Sequence, residues 1–308
     1  MPPGQIEVVH DVMRKRIAIV VSHPIQYYSP WFRYLAAQDE VDIKVFYLWD
    51  FGVTPQKDLG FGQVIQWDIP LLGGYAHEFV QNISRDPGTH HFWGLNNPTL
   101  ARAVTSWQPD AVLMYGYAYA SHVRWLLSRA SQRFPTLIRG DSHELSQGSG
   151  IRQRIKGILR RQLFRRCAGA LAVGTANANY FRSNGIHENG VFIARHCVDN
   201  GWFQARRAQA TLAAAEWRKE LGIPPDSRVI LFAGKLEEKK RPQDLLGAFQ
   251  VWQERHAERM SKATLLFVGS GHLSGLLRQR VESMKARSVV FAPFQNQTSM
   301  PKVYAACD

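Results

Sequence analysis

The chain has 308 residues, 45% of them apolar, with 38 Lys and Arg against 25 Asp and Glu, a formal charge of +13. That is enough for one large or two ordinary globular domains, and it excludes a disordered or fibrous chain. No apolar run approaches the roughly 18 residues of a membrane span, and Cys167, Cys197 and Cys307 are too few and too scattered for a disulfide framework or a zinc motif.

The first sixteen residues lack the apolar core of a signal peptide, and Met1 to Lys15 reads as a loose leader. With reduced cysteines this points to a cytoplasmic protein. Arg16 to Ser22 is a continuous apolar strand placed where a doubly wound domain begins. The loop His23 to Pro30 (HPIQYYSP) follows it, and Trp31, Tyr34 and Leu35 open a helix. A loop leaving the carboxyl end of a first strand points into the ligand crevice of an open α/β sheet, which makes His23, Gln26 and Tyr27 candidate acceptor-side contacts. A loop packed for structure, with Tyr27 and Tyr28 as core, is the competing reading.

Val41 to Leu48 is the next strand. Residues 50–97 are irregular, with strands expected at Val64 to Ile69 and His77 to Phe79. Helix 98–107, strand 111–115, helix 118–131 with Val123, Leu126 and Leu127 inward, and strand 136–138 come next. This alternation predicts βαβ units and a parallel sheet. The last strand delivers Arg139, Asp141, His143 and Glu144. Gln147 stands where HExxH needs its second histidine, so no zinc site is expected.

Residues 151–167, IRQRIKGILRRQLFRRC, form a basic amphipathic helix. Its apolar stripe is expected to pack on the sheet, and contact with an anionic bilayer is the alternative. Strand 168–173, helix 176–184 with Gly185 as its cap, and strand 191–194 complete the first half. The segment from His196 to Phe203 marks a boundary, dividing the chain into 16–198 and 199–308.

The second half opens with helix 208–221 and then the stretch of greatest chemical content, RVILFAGKLEEKKRPQDLLGAF. Val229 to Ala233 is a short buried strand, Gly234 ends it, and Pro242 suits the first position of a helix carrying Leu245, Phe249 and Trp252. That helix N-terminus, with Lys235, Lys239, Lys240 and Arg241 beside it, is an anion site suited to phosphate. Charges pairing with one another on a solvated loop is the plainer alternative. Strand 264–268, the turn Gly269-Ser270-Gly271, a helix through Leu273 to Val281 and strand 289–291 follow. The glycine turn lacks the spacing and the acidic residue of a dinucleotide fingerprint.

GKLEEKKRPQDLLGAF resembles the diphosphate-contacting segment of glycosyltransferase family 4, a retaining family of GT-B fold; HPIQYYSP and the crossing HCVDNGWF are similar to family segments as well. The resemblance implies two Rossmann-like doubly wound domains facing a cleft, the second incomplete. It implies a nucleotide-sugar donor held by Gly234, Lys235 and Lys240 without a metal or other cofactor, with Phe294 bordering the nucleobase. His143 is the match to a histidine lying against the transferred sugar, and Arg139 joins the acceptor side. Lys235 departs from the family's more frequent arginine, keeping the charge and losing the bidentate fork. A glycan, lipid-linked sugar or small-molecule acceptor is implied, the lipid-linked one compatible with membrane contact through 151–167 at the inner face. The family's next strand, a loop with two glutamates and a terminal helix fall beyond Asp308, so the chain reads as a fragment or a shortened form. A non-catalytic nucleotide-binding protein that lacks the glutamate loop is the second reading. A nucleic-acid-binding protein is disfavoured, since the basic residues are spread over both halves with no recognised motif.

Overall fold

The computed structural model describes residues 14–144, 150–256, 263–284 and 288–308. Most of the expected leader, residues 1–13, lies outside them. Two compact units result. The first comprises the chain up to Phe51 and Leu71–Val198; the second comprises Gly52–Pro70 and Asp199–Asp308.

The first unit carries a sheet of seven parallel strands: β1 (Lys15–Val21), β2 (Val41–Tyr47), β5 (Ala76–Phe79), β6 (Ala111–Tyr115), β7 (Thr136–Gly140), β8 (Gly169–Ala172) and β9 (Val191–Ile193), in the order β5-β2-β1-β6-β7-β8-β9. Alternate residues face opposite layers, as a strand buried on both sides requires. Ala18, Val20, Phe46, Met114 and Ile138 enter one core; Ile19, Val21, Val45, Tyr47 and Leu113 enter the other. The order reverses between β1 and β6, so the loops leaving those two strands flank a topological switch point.

Helices α1 (Ser29–Ala36), α2 (Leu100–Ser106), α3 (Ala120–Leu127), α4 (Ala130–Arg133), α5 (Ile151–Phe164) and α6 (Thr175–Ser183) connect these strands. Where periodicity predicts one helix over 118–131, two short ones form. Ser128 is extended (ψ 160°) and its hydroxyl donates to the Trp125 carbonyl at 2.7 Å, competing with the helical ladder. Leu127 faces solvent instead of the core, and Trp125 takes the inward place, its indole N–H donating to Thr136 Oγ1 at 3.0 Å.

Helix α5 also departs from expectation. Phe164 is fully buried, but Ile151, Ile155, Ile158 and Leu159 are each more than half exposed. The stripe therefore packs on the unit only at its carboxyl end.

His122, on α3, is completely buried, and neither ring nitrogen finds a hydrogen-bond partner among the described residues. Burial pushes its pKa from 6.5 down to about 3. The unfolded chain binds this proton below pH 6.5 and the folded one does not, so the cost is absent above that pH and grows as pH falls toward 3. By pH 4 it reaches about 3 kcal/mol. His122→Leu is expected to flatten the acid limb of a urea-denaturation stability profile between those limits; an unchanged limb would place the acid sensitivity elsewhere.

The second unit has a parallel sheet of β10 (Arg228–Ala233), β11 (Ala263–Val268) and β12 (Val289–Ala292) in that order. Leu266, Val268 and Ala292 pack with Trp217, Ile223 and Val303 on one face. Leu265 and Phe267 pack with Leu246, Phe249 and Leu277 on the other. The covering helices are α7 (Asn200–Ala205), α8 (Arg207–Glu220), α9 (Pro242–Arg255), α10 (Ser274–Ser283) and α11 (Met300–Ala305). Helix α7, not evident from the sequence, is capped by Asp199, whose carboxylate accepts from Trp202 N–H at 2.8 Å.

An antiparallel hairpin, β3 (Gln56–Asp58) with β4 (Gln63–Ile65), belongs to this second unit although it falls between β2 and β5 in the chain. Residues 52–70 thus differ from the division at 198, which leaves them in the first half. The expected strand 64–69 is only the second arm of this hairpin.

Candidate functional site

The second unit places its candidate donor-side residues where β10 and β11 end. Gly234 closes β10 and donates its N–H to the Val268 carbonyl at 2.9 Å. Leu236 N–H donates to Ser270 O at 2.9 Å, and Leu273 N–H to Leu236 O at 3.1 Å, so the two turns are bonded to each other. A Cβ on Gly269 would lie 2.1 Å from Gly234 O, and one on Gly271 would lie 2.4 Å from Leu236 O. The Gly-Ser-Gly sequence thus serves close approach of two loops, not dinucleotide recognition.

The chain then makes a 3-10 turn over Glu238–Lys240, and Arg241 adopts a left-handed conformation (φ 56°) that turns it into α9 at Pro242. This α9 N-terminus has no side-chain cap. Charges near it are largely paired: Arg241 Nε contacts Asp244 at 2.7 Å and Glu238 contacts His272 at 2.5 Å. Lys239 and Lys240 are exposed.

Lys235 is held by the hairpin. Its ammonium lies 2.8 and 2.9 Å from the two oxygens of Asp58 and 5.0 Å from the centre of the Phe61 ring. Asp58 is 13% exposed and Lys235 32%, so the pair is shielded on the aspartate side. Asp58 Oδ1 also accepts from the N–H groups of Gly60 and Phe61 at 2.8 and 2.9 Å, which shapes the hairpin tip. The lysine stem crosses so close to Gly60 that a Cβ there would sit 2.6 Å from its Cδ. Phe294, after β12, meets the Phe61 ring edge-to-face at 4.7 Å, with Trp67 at 6.1 Å. Ser270 Oγ donates to Phe61 O at 2.8 Å, Asn296 Nδ2 to Gln66 O at 2.7 Å, and Thr298 binds Asp68 through both its N–H and its hydroxyl.

In the first unit the switch-point loops gather an aromatic cluster. Tyr28 lies 4.7 Å from Tyr115 and stacks at 6.3 Å on His196, which Tyr27 also approaches edge-on. The Arg139 guanidinium sits 5.7 Å from the Tyr115 ring and donates to the carbonyls of Ala194 at 2.6 Å and Arg195 at 3.3 Å. Its donors thus serve to hold the segment that presents His196. Burial pushes Tyr115 up to about 12 and raises Tyr27 and Tyr28. Burial and Arg139 together hold His196 below its ordinary value, with Asp141 opposing. A neutral imidazole beside protonated tyrosines can accept a proton from a hydroxyl.

His23 bonds Ser22 Oγ at 3.0 Å and lies against Trp49 and Phe51 at 5.7 and 5.3 Å. Gln26 is half-buried in the same loop. His143 follows β7 on a loop fixed from both sides. Asn177 Nδ2 donates to Ser142 O at 2.6 Å, and Ser183 Oγ to Glu144 at 2.6 Å.

The sequence residues therefore fall into two sets, one per unit: Gly234, Lys235, Lys240 and Phe294 in the second, His23, Gln26, Tyr27, Arg139 and His143 in the first. Asp58, Phe61 and His196 were not evident. Nothing local marks Asp58 or Phe61, and His196 carried only a boundary signal. Among the described residues one group offers metal-ligating atoms within 4.8 Å of each other, Asp86, His90 and His91. It lies on the exposed loop before α2, with each histidine Nε2 within 3.2 Å of the Asp86 carboxylate.

Two units of parallel α/β sheet, with the site-bearing loops at the strands' carboxyl ends, define a GT-B-type fold. Residues 213–308 match the family model described as glycosyl transferases group 1. A stretch of 93 residues is 31% identical to an uncharacterised glycosyltransferase of Methanocaldococcus jannaschii, covering 30% of this chain and 23% of that protein. The matched stretch thus spans about a quarter of that relative's length. Among solved structures, Anabaena HepE in complex with UDP and glucose superposes with a TM-score of 0.62 at 15% identity, over 96% of this chain and 73% of that one. The trehalose 6-phosphate synthase of Burkholderia multivorans gives 0.59 at 12% identity, over 95% and 76%. The UDP-GlcNAc 2-epimerase of Neisseria meningitidis, bound to UDP-GlcNAc, gives 0.51 at 13%, over 94% and 75%.

Proposed function

We propose that this chain is a nucleotide-sugar-dependent glycosyltransferase that transfers with retention of configuration. The observation that carries the reading is the β10 turn, which sets Lys235 and the uncapped α9 N-terminus within the region that matches the glycosyltransferase family model. Breaking the glycosidic bond leaves negative charge on the departing nucleoside diphosphate. A preorganised cation and a helix N-terminus stabilise that charge more than they stabilise the intact donor. Lys240, one residue before Arg241, supplies a second cation, and Phe294 borders the base. No metal is required in this scheme, because lysines take the place of a bridging cation.

His143 contacts the transferred sugar, and Tyr27, Gln26, His23 and Arg139 belong to the acceptor side. UDP-sugars are the first donors to examine, given the ligands of the solved structures that share the fold. UDP-glucose and UDP-GlcNAc are each incubated with the chain, with UDP release and a thermal shift as readouts. A raised melting temperature together with donor-dependent UDP release supports transfer. Stabilisation without release favours the nucleotide-binding alternative, and the absence of both overturns the donor site.

The acceptor is a glycan or a lipid-linked sugar met at the cytoplasmic membrane face. What supports this is α5, whose exposed Ile151, Ile155, Ile158 and Leu159 share a helix with Arg154, Lys156 and Arg161. No helix among the described residues is long and apolar enough to cross a membrane. Sedimentation with phosphatidylserine-containing vesicles is expected, with loss on changing Arg154, Lys156 and Arg161 to glutamate. Retention of binding by that variant would remove membrane contact from the proposal.

A further inference from the structure

Lys235 and Phe294, proposed above to face the donor, and Ser270 of the adjoining turn are engaged at once by one short piece of chain. The hairpin tip puts the Asp58 carboxylate on Lys235, the Phe61 carbonyl on Ser270 and the Phe61 ring on Phe294. An anion on the diphosphate lysine and an aromatic ring on the residue beside the base reproduce the two chemical halves of a nucleoside diphosphate. From this, and resting on the donor-site reading above, we infer that hairpin 56–65 is an internal stand-in for the nucleotide, which donor must displace.

The contacts are specific enough for that role. Both carboxylate oxygens reach the ammonium, and the ammonium also lies over the Phe61 ring. The edge-to-face contact at 4.7 Å leaves no space for a base between Phe61 and Phe294. A diphosphate arriving at Lys235 meets a lysine already neutralised by a shielded carboxylate, and like-charge repulsion from Asp58 adds to the cost of entry. Further along the segment, Gln66, Trp67 and Asp68 contact Asn296, Phe294 and Thr298. Displacement of the tip breaks its contacts to Lys235, Ser270 and Phe294. Apparent donor affinity is then reduced by the fraction of molecules in which the tip is closed.

Asp58→Asn tests this cleanly. The amide oxygen still accepts from the Gly60 and Phe61 N–H groups, so the turn keeps its shape while the charge on Lys235 is removed. The expected result by isothermal titration is UDP binding about tenfold tighter, a factor that corresponds to about 1.4 kcal/mol. Phe61→Ala, which removes the ring from Phe294, is expected to act in the same direction. Hydrogen exchange within 56–65 is expected to quicken when UDP binds. Unchanged or weaker UDP binding in Asp58→Asn, or slower exchange of the tip with UDP, would overturn the displacement model and make the hairpin a wall of the site. Adding Lys235→Ala in the Asp58→Asn background separates this from failure of the donor site itself. If the added change leaves UDP binding as in Asp58→Asn, the donor assignment has failed; if it weakens binding while Asp58→Asn alone is neutral, only the hairpin inference has.

Discussion

Replacing Lys235 and Lys240 together by alanine is expected to lower donor turnover about a thousandfold, with a smaller loss of nucleotide affinity. One preorganised group facing developing charge contributes roughly 100- to 1,000-fold to the rate. In the proposed site both cations serve the same diphosphate and would act as a unit, so their effects are not expected to multiply. The loss falls mainly on kcat because the leaving group carries more charge in the transition state than in the bound donor. Lys235→Ala alone leaves the shielded Asp58 carboxylate without its cation, which affects folding as well as chemistry. The measurement therefore includes the Asp58→Asn background, where that penalty is absent. Lys239→Ala, an exposed neighbour outside the proposed pair, is the control and is expected to change little. Turnover of the unaltered chain is expected to survive EDTA, because in the proposed scheme the lysines stand in for a metal. Full activity in the double alanine variant would show that the charge on the leaving group is met elsewhere.

The parts of this arrangement that were legible in the sequence are those specified by near neighbours. Val229 to Ala233 reads as a strand because five successive apolar residues are too few for a helix; the expected burial is not met, since β10 lies at the sheet edge with Val229 buried and Ile230 exposed. Pro242 reads as a helix start because a missing N–H is harmless there, and the helix begins at that residue. The hairpin was opaque for the opposite reason. Asp58 meets its lysine 177 positions away, and Gln66 meets Asn296 at a separation of 230. No local periodicity encodes such pairs, and residues 56–65 form strands only three residues long. Helix α5 shows a different limit. Its apolar stripe was plain, yet amphipathicity says that a face is available for burial, not that the same chain covers it. In α3, helical spacing pointed to Leu127, whereas the bulk of Trp125 and the Ser128 hydroxyl decided which side turned inward.

Gly269→Ala is expected to be the most damaging single methyl in the second unit, lowering stability by about 3 kcal/mol or more. Its backbone lies at φ 136°, which favours glycine, and the added Cβ would press on backbone atoms of Gly234: the carbonyl oxygen at 2.1 Å and the carbonyl carbon at 3.0 Å. A side chain could rotate away from such a contact; a peptide group bonded into the adjoining turn cannot. Relief requires the β11 turn to lift off the β10 turn, which strains the bonds from Gly234 to Val268 and from Leu236 to Ser270. Those bonds also set the direction in which Lys235 leaves the sheet, so residual folded protein is expected to bind UDP poorly. Gly234→Ala makes the informative comparison. No atom lies within 4 Å of its hypothetical Cβ, and only its backbone conformation (φ 156°) opposes the change. Its cost is therefore expected to be smaller, and to be confined to conformational strain. Thermal and urea unfolding of the two variants distinguishes steric from conformational demand; equal destabilisation would mean that contact between the two turns is not what requires glycine at 269.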